Sequence, residues 1–280
     1  MSEEALVFGC GGESLVGVLA RPEAPAARGV LIVVGGPQYR AGSHRQFTLL
    51  ARELAASGIA SLRFDYRGMG DSSGAARSFE AVDEDIGCAV DRLLCAVPEL
   101  REVVLWGLCD AASAALFYAH RDARVSGVVL VNPWVRTEQG IAQAHLRHYY
   151  GQRLLDRSFW RKVFSGRLDV RSAFASIRRF VMDAAAPRRD VGTLPERMEE
   201  GLRRFRGRVL LILSGKDLTA EEFRGLVSRS ERWTRLLADT RVVRRDLAES
   251  NHTFSRREWR DQVARWTADW VKQDEHQARA

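Results

Sequence analysis

Lysine is almost missing from this 280-residue chain. It occurs only at Lys162, Lys216 and Lys272, so arginine supplies nearly all of the 43 basic residues behind the formal net charge of +7. Such a bias follows codon usage as readily as function. The pI of about 9.7 does not by itself point to nucleic acid, because no helix-turn-helix, aromatic RNP pattern or zinc finger accompanies the charge. Cysteine is also scarce. Cys10, Cys88, Cys95 and Cys109 show neither C-x-x-C spacing nor clustering with histidine, which argues against a zinc site and against a disulfide framework. No apolar run approaches the roughly 18 residues of a membrane helix, and the acidic start Met1-Ser2-Glu3-Glu4 leads into no signal-peptide h-region. A cytoplasmic protein without metal or organic cofactor is therefore expected. At 46% hydrophobic residues the chain can bury a large core, and its length suits one domain carrying an insertion.

What is present is a rhythm. Leu6 to Arg21 reads as a hairpin turning at Gly11-Gly12, and Gly29 to Val34 as a buried β-branched strand ending in Gly35-Gly36-Pro37. A helix is predicted from His44 to Ala56, a strand from Ser61 to Tyr66, a helix from Phe79 to Val97, and strands at Val103–Trp106 and Val125–Val131. On that second helix Cys88 and Cys95, seven apart, are expected to face the core. Strands alternating with helices imply right-handed crossovers and a doubly wound, mostly parallel sheet, an α/β fold. The rhythm stops between Pro133 and Gly207 in Arg-rich, aromatic-bearing helical sequence, and resumes with strands at Val209–Leu213 and Arg241–Asp246. A last helix over Arg256–Val271 is introduced by Ser255 with Glu258 three residues on, a capping-box pattern.

The most informative residues are Gly107-Leu108-Cys109-Asp110-Ala111, where the apolar strand turns into an Ala-rich helix. A strand-to-helix turn sharp enough to present a nucleophile requires small residues two before and two after it, as in the nucleophile elbow of α/β-hydrolases. Gly107 and Ala111 meet that demand around Cys109; around Asp110 the pair would be Leu108 and Ala112, and leucine would crowd the turn. The competing reading is a small buried cysteine ending a core strand.

A thiol nucleophile needs a base and a group that orients the base. Asp217 follows one late strand in Ser214-Gly215-Lys216-Asp217, and His252 follows the last through Glu249-Ser250-Asn251. The order Cys109, Asp217, His252 is the nucleophile, acid, histidine order of α/β-hydrolases, with each residue at the carboxyl end of a strand, where open α/β sheets place ligands. Glu221, Glu222 and Glu249 are weaker rivals for the acid. An oxyanion hole would take one N–H from Asp110 and a second from the loop after Val34. Pro37 has no N–H, which leaves Gly36, favoured for close approach, or Gln38 through its backbone or side-chain amide. Asp65, Arg67, Gly68, Gly70 and Ser72 are assigned to holding the loop after their strand.

With these residues assembled, the chain resembles the α/β-hydrolase superfamily over nearly its full length. The combination Gly35-Gly36-Pro37-Gln38-Tyr39-Arg40, Gly42-Ser43-His44-Arg45 and Gly107-Leu108-Cys109-Asp110-Ala111 is similar to exosortase A system-associated hydrolases of type 1. The resemblance implies a hydrolase core over residues 1–134 and 208–280, a helical lid over 135–207, and a link to exopolysaccharide and PEP-CTERM sorting systems. Cysteine for serine at 109 and Ala111 for the second glycine depart from the general pattern and turn the expectation from simple esterases toward thioesters. The expected activity is cleavage of an activated acyl ester or thioester through acyl-Cys109. An acyltransferase using the same site, and a non-catalytic binding protein on the same fold, are the alternatives. Segment 136–206 holds sixteen basic against eight acidic residues, an excess of +8 that leaves the remainder near neutral. This favours an anionic small-molecule or carrier-bound acyl substrate, with Tyr149, Tyr150 and Trp160, together with Phe159 and Phe164, lining the acyl pocket.

Overall fold

The computed structural model describes residues 1–36, 38–136 and 192–273. Eight strands form one sheet: β1 (Ser2–Cys10), β2 (Glu13–Arg21), β3 (Arg28–Val33), β4 (Ser61–Asp65), β5 (Glu102–Leu108), β6 (Val125–Val131), β7 (Arg208–Lys216) and β8 (Val242–Asn251). Their spatial order is β1-β2-β4-β3-β5-β6-β7-β8, with β1 and β2 antiparallel and β3 to β8 parallel. Among the described residues the α-helices are α1 (Gln46–Ala56), α2 (Asp83–Ala96), α3 (Asp110–Ala119), α4 (Leu194–Arg204), α5 (Leu218–Arg229), α6 (Glu231–Leu237) and α7 (Arg257–Lys272). This is the α/β-hydrolase architecture.

The central strands are apolar almost throughout because both faces are covered. Val30, Ile32, Val104, Trp106, Val129 and Ile212 meet Phe47, Leu50 and Leu54 of α1 and Val263, Ala264 and Trp270 of α7. Phe47 stands edge-on to Trp106 with ring centres 5.7 Å apart. Leu31, Leu62, Val103 and Leu105 alternate with these and are equally buried, facing the side where α2 and α3 run. α3 is buried from Ala111 to Ala119, and its small side chains let neighbours approach closely: a Cβ on Gly201 of α4 would stand 2.3 Å from the Leu116 carbonyl.

Several expectations are corrected by local chemistry. The first helix starts at Gln46 rather than His44, because His44 and Arg45 hold left-handed backbone (φ 53° and 59°). The Phe79–Val97 helix is broken at Val82 into a single turn and α2. Cys95 is exposed and Cys88 only half-buried, so neither is a core residue. The capping box at α7 does not form: Ser255 exchanges hydrogen bonds with Asn251 instead, and Arg256 begins the helix without a side-chain cap. β7 runs past Leu213 because Lys216 still pairs with Asn251 of β8.

The chain divides into two units, Met1–Val135 with Met198–Ala280, and Arg136–Arg197. Of the second unit only Arg136 and residues 192–197 are among the described residues. Among the described residues, no helix is long and apolar enough to cross a membrane.

Candidate active site

β5 delivers the chain to the turn. At its end Cys109 adopts φ 63° and ψ −125°, a left-handed backbone uncommon for a residue with a side chain and sustained only where its surroundings impose it. A Cβ at Gly107 would lie 2.5 Å from the Ala111 carbonyl group, so glycine is obligatory there. At 111 a methyl group is buried without conflict, which accounts for alanine in place of a second glycine. The Cys109 N–H donates to the Val131 carbonyl (2.9 Å) and its own carbonyl accepts from Trp134 N–H (3.2 Å), so the turn is tied to the segment following β6. Cys109 is the residue preceding α3, whose dipole favours a thiolate there.

Asp217 is the N-cap of α5. Its carboxylate accepts Thr219 N–H at 3.1 Å, Ala220 N–H at 3.4 Å, and Nδ1–H of His252 at 2.9 Å. With Nδ1 donating, Nε2 is left as the basic nitrogen. Asp217 is nearly buried while the His252 imidazole is about one-third exposed. The rival Glu249 points to solvent and bonds Lys216 (2.6 Å).

The loop after β3 carries the candidate oxyanion donors. Gly36 has φ 61°, and its N–H donates to Asp110 Oδ2 at 2.9 Å. The Gln38 amide oxygen accepts from Gln46 Nε2 (3.3 Å) and Ser43 N–H (3.4 Å), so that side chain serves its own loop. The loop is braced by Asp65, which is fully buried and accepts Arg40 N–H at 2.6 Å, the Arg40 guanidinium, and Asp71 N–H at 3.2 Å. Gly70 is required beside it, since a Cβ would stand 2.2 Å from Asp65 Oδ2. Gln38, Tyr39, Gly68, Met69, Gly70 and Asp71 line an open cavity of about 490 Å³ next to this loop. Met69 packs on the same apolar cluster as Cys109. Tyr149, Tyr150 and Trp160, expected to line an acyl pocket, lie outside the described residues, as do Phe159 and Phe164.

One residue escaped sequence reasoning. Asn132, fully buried with φ 44°, donates through Nδ2 to Ser214 Oγ (2.9 Å) and to the His252 carbonyl (3.5 Å), and accepts Ser214 N–H (2.8 Å). Ser214 Oγ in turn donates to the Asn251 carbonyl (3.2 Å). A single amide thus links the ends of β6, β7 and β8. The Asn-Pro pair after a predicted strand was the available signal, since asparagine tolerates left-handed backbone. Asn132→Ala is expected to lower kcat roughly 10- to 100-fold with little change in KM, because it frees the histidine loop. Asn132→Asp keeps the acceptor for Ser214 N–H, loses both donors, and should fall between. Steady-state kinetics beside thermal melting checks this: kcat per folded molecule should fall while KM holds, which simple loss of stability does not produce.

Among the described residues no group of three or more His, Cys, Asp or Glu is placed to hold a metal. No curated protein matches the sequence. Solved structures do match in fold. The Pyrococcus furiosus esterase Pf2001 superposes with a TM-score of 0.70 at 14% identity, covering 97% of this chain and 91% of its own. Est1E from Butyrivibrio proteoclasticus, solved with ferulic acid bound, gives 0.63 at 12% identity with 96% and 98% covered. The esterase domain of a Rhodothermus marinus protein gives 0.62 at 19% identity with 98% and 99% covered. A family profile described as serine aminopeptidase, S33 matches residues 25–217, more than half of the chain, and the protein belongs to that family of α/β-hydrolases.

Proposed function

We propose that this hydrolase cleaves an activated acyl ester or thioester through an acyl-Cys109 intermediate. The observation that carries the reading is the Asp217–His252 hydrogen bond, made between the loops that follow β7 and β8. The elbow of the same sheet presents a cysteine where the family's name specifies serine. His252 Nε2 takes the Sγ proton as the thiolate adds to the substrate carbonyl carbon, and the N–H groups of Asp110 and Gly36 receive the resulting oxyanion. Collapse breaks the bond to the leaving group, which departs with the proton from the imidazolium. Water then adds to the thioester, giving its proton to His252; the carboxylic acid leaves and Sγ is reprotonated. Asp217 holds the imidazole in the tautomer that both steps need.

The basic excess of segment 136–206 supports an anionic acyl carrier, with residues 135–207 as the lid over the acyl group. Residues 35–45 and 107–111 support a place among exosortase-associated hydrolases acting in the cytoplasm.

The test is to mix the protein with an aryl butyrate, quench in acid within the first turnovers and map the peptides. One butyryl group on the Cys109 peptide, released by neutral hydroxylamine, is the expected result. An acyl group found on a serine, or turnover with no adduct at any quench time, overturns the acyl-cysteine reading.

A further inference from the structure

The Gly36 N–H already has an acceptor, and the contact is built into the sequence on both sides. Asp110 Oδ2 receives it at 2.9 Å. Gly35, beside it, makes the room: a Cβ there would stand 2.2 Å from Asp110 Oδ1, 2.8 Å from the Leu108 carbonyl oxygen and 2.9 Å from the Ala111 nitrogen. Oδ1 is itself buried without a hydrogen-bond partner. A carboxylate is thus wedged between the elbow and the β3 loop, with Oδ2 on the Gly36 N–H. Burial raises the Asp110 pKa, opposed by the N–H groups around the carboxylate and by His252.

An N–H bonded to a carboxylate oxygen is in the arrangement it would have with a bound carboxylic acid anion. The product of acyl-enzyme hydrolysis is such an anion, and its oxygens suit the same donors as the tetrahedral oxyanion. A second carboxylate entering this site meets both an occupied donor and a like charge. A substrate carbonyl arrives uncharged, and in the proposed reaction its covalent bond to Sγ lets it displace the Asp110 carboxylate from the Gly36 N–H. A free acid has no such bond and must compete for the donor unaided.

We propose that the Asp110 carboxylate is an internal occupant of the oxyanion site that keeps free carboxylates, the product class, from binding there. This rests on the reading of Gly36 N–H as the second oxyanion donor. It makes the Asp110 side chain a specificity residue, distinct from its backbone N–H, and gives Gly35 the role of accommodating it.

Binding can be measured without turnover. Butyrate is titrated into Cys109→Ala protein at fixed pH 8 and constant ionic strength, followed by ligand-observed NMR, and compared with Cys109→Ala/Asp110→Ala and Cys109→Ala/Asp110→Asn. Removing occupant and charge together should tighten butyrate binding about tenfold or more in the Asp110→Ala protein. Asp110→Asn should move in the same direction by less, since its amide oxygen still accepts the Gly36 N–H. Equal or weaker binding in the Asp110→Ala protein, undetectable binding to all three included, overturns the proposal and makes the side chain a clamp on the β3 loop. If thermal melting shows that the alanine variant does not fold, the asparagine variant decides by the same criterion. No acylation is involved. A negative result here therefore leaves the acyl-cysteine test standing, and a missing acyl adduct there leaves this measurement valid.

Discussion

Cys109→Ala is expected to lower kcat by roughly 10⁵- to 10⁶-fold, and His252→Ala by about as much, because in the proposed acyl-cysteine mechanism the two act as one unit. Asp217→Asn should cost roughly tenfold less, and combinations should be far from additive. The chemical counterpart is alkylation. Iodoacetamide should modify Cys109 first and abolish turnover, although Cys95 is the more exposed thiol and offers no steric obstacle. Cys10 should resist, since burial and its neighbour Cys88 push its pKa up to about 12 and leave almost no thiolate at neutral pH. Peptide mapping at partial modification checks the order. Labelling of Cys95 ahead of Cys109, or labelled protein with full activity, would remove Cys109 from the mechanism. Cys109→Ser, although it restores the residue named in the family's description, should not restore the rate, because an alcohol demands a stronger base than the thiol did.

The largest loss of stability is expected far from the chemistry, at Asp85→Ala. Asp85 on α2 is fully buried, as is nearly all of Arg67. Its carboxylate accepts Arg67 N–H at 2.8 Å, Nε at 3.0 Å and Nη2 at 2.9 Å, with Glu84 completing the guanidinium's partners at 2.5 Å. Gly11 leaves space for this guanidinium, since a Cβ would lie 2.3 Å from Nη1. Removing one partner strands a buried charge and a buried N–H together, a cost of about 3–5 kcal/mol. The urea midpoint should fall accordingly with an unchanged slope, while kcat per folded molecule at 25 °C stays level. A stability loss below about 1 kcal/mol, taken as the midpoint shift times the slope, would mean that water reaches the pair and replaces the carboxylate.

How much of this was legible in the sequence follows from the range of the forces involved. The parallel strands could be read because their apolar runs reflect burial on both faces, and Val125–Val131 was bounded without error. Ends were less legible. Gln46 starts α1 because of backbone strain at two preceding residues, and β7 is prolonged by pairing with a strand that comes later in the chain. The Ser255–Glu258 pattern failed for a similar reason, as Asn251 competes for the same serine. At the site, Cys109 carries its own local signal in Gly107 and Ala111. Asp217 and His252 carry weaker ones that gain meaning only from chain order. Asn132 and the Asp110 side chain could not be read at all as partners: their acceptors and donors lie 82 and 74 residues away in sequence.

β6 and β7 are adjacent and parallel, and the chain between them is far longer than a crossover requires. Everything placed in the site by the sheet lies outside that stretch: Cys109 before it, Asp217 and His252 after it. The closure entropy of a connection rises only slowly with its length, by about 0.6 kcal/mol for each doubling. A change in the length or sequence of residues 137–191 is therefore expected to leave the candidate residues Cys109, Asp217 and His252 at their places on the strands. In this protein the chemistry and the intervening segment can diverge at different speeds, and a homologue with an unrelated insert would still be expected to share the same three loops.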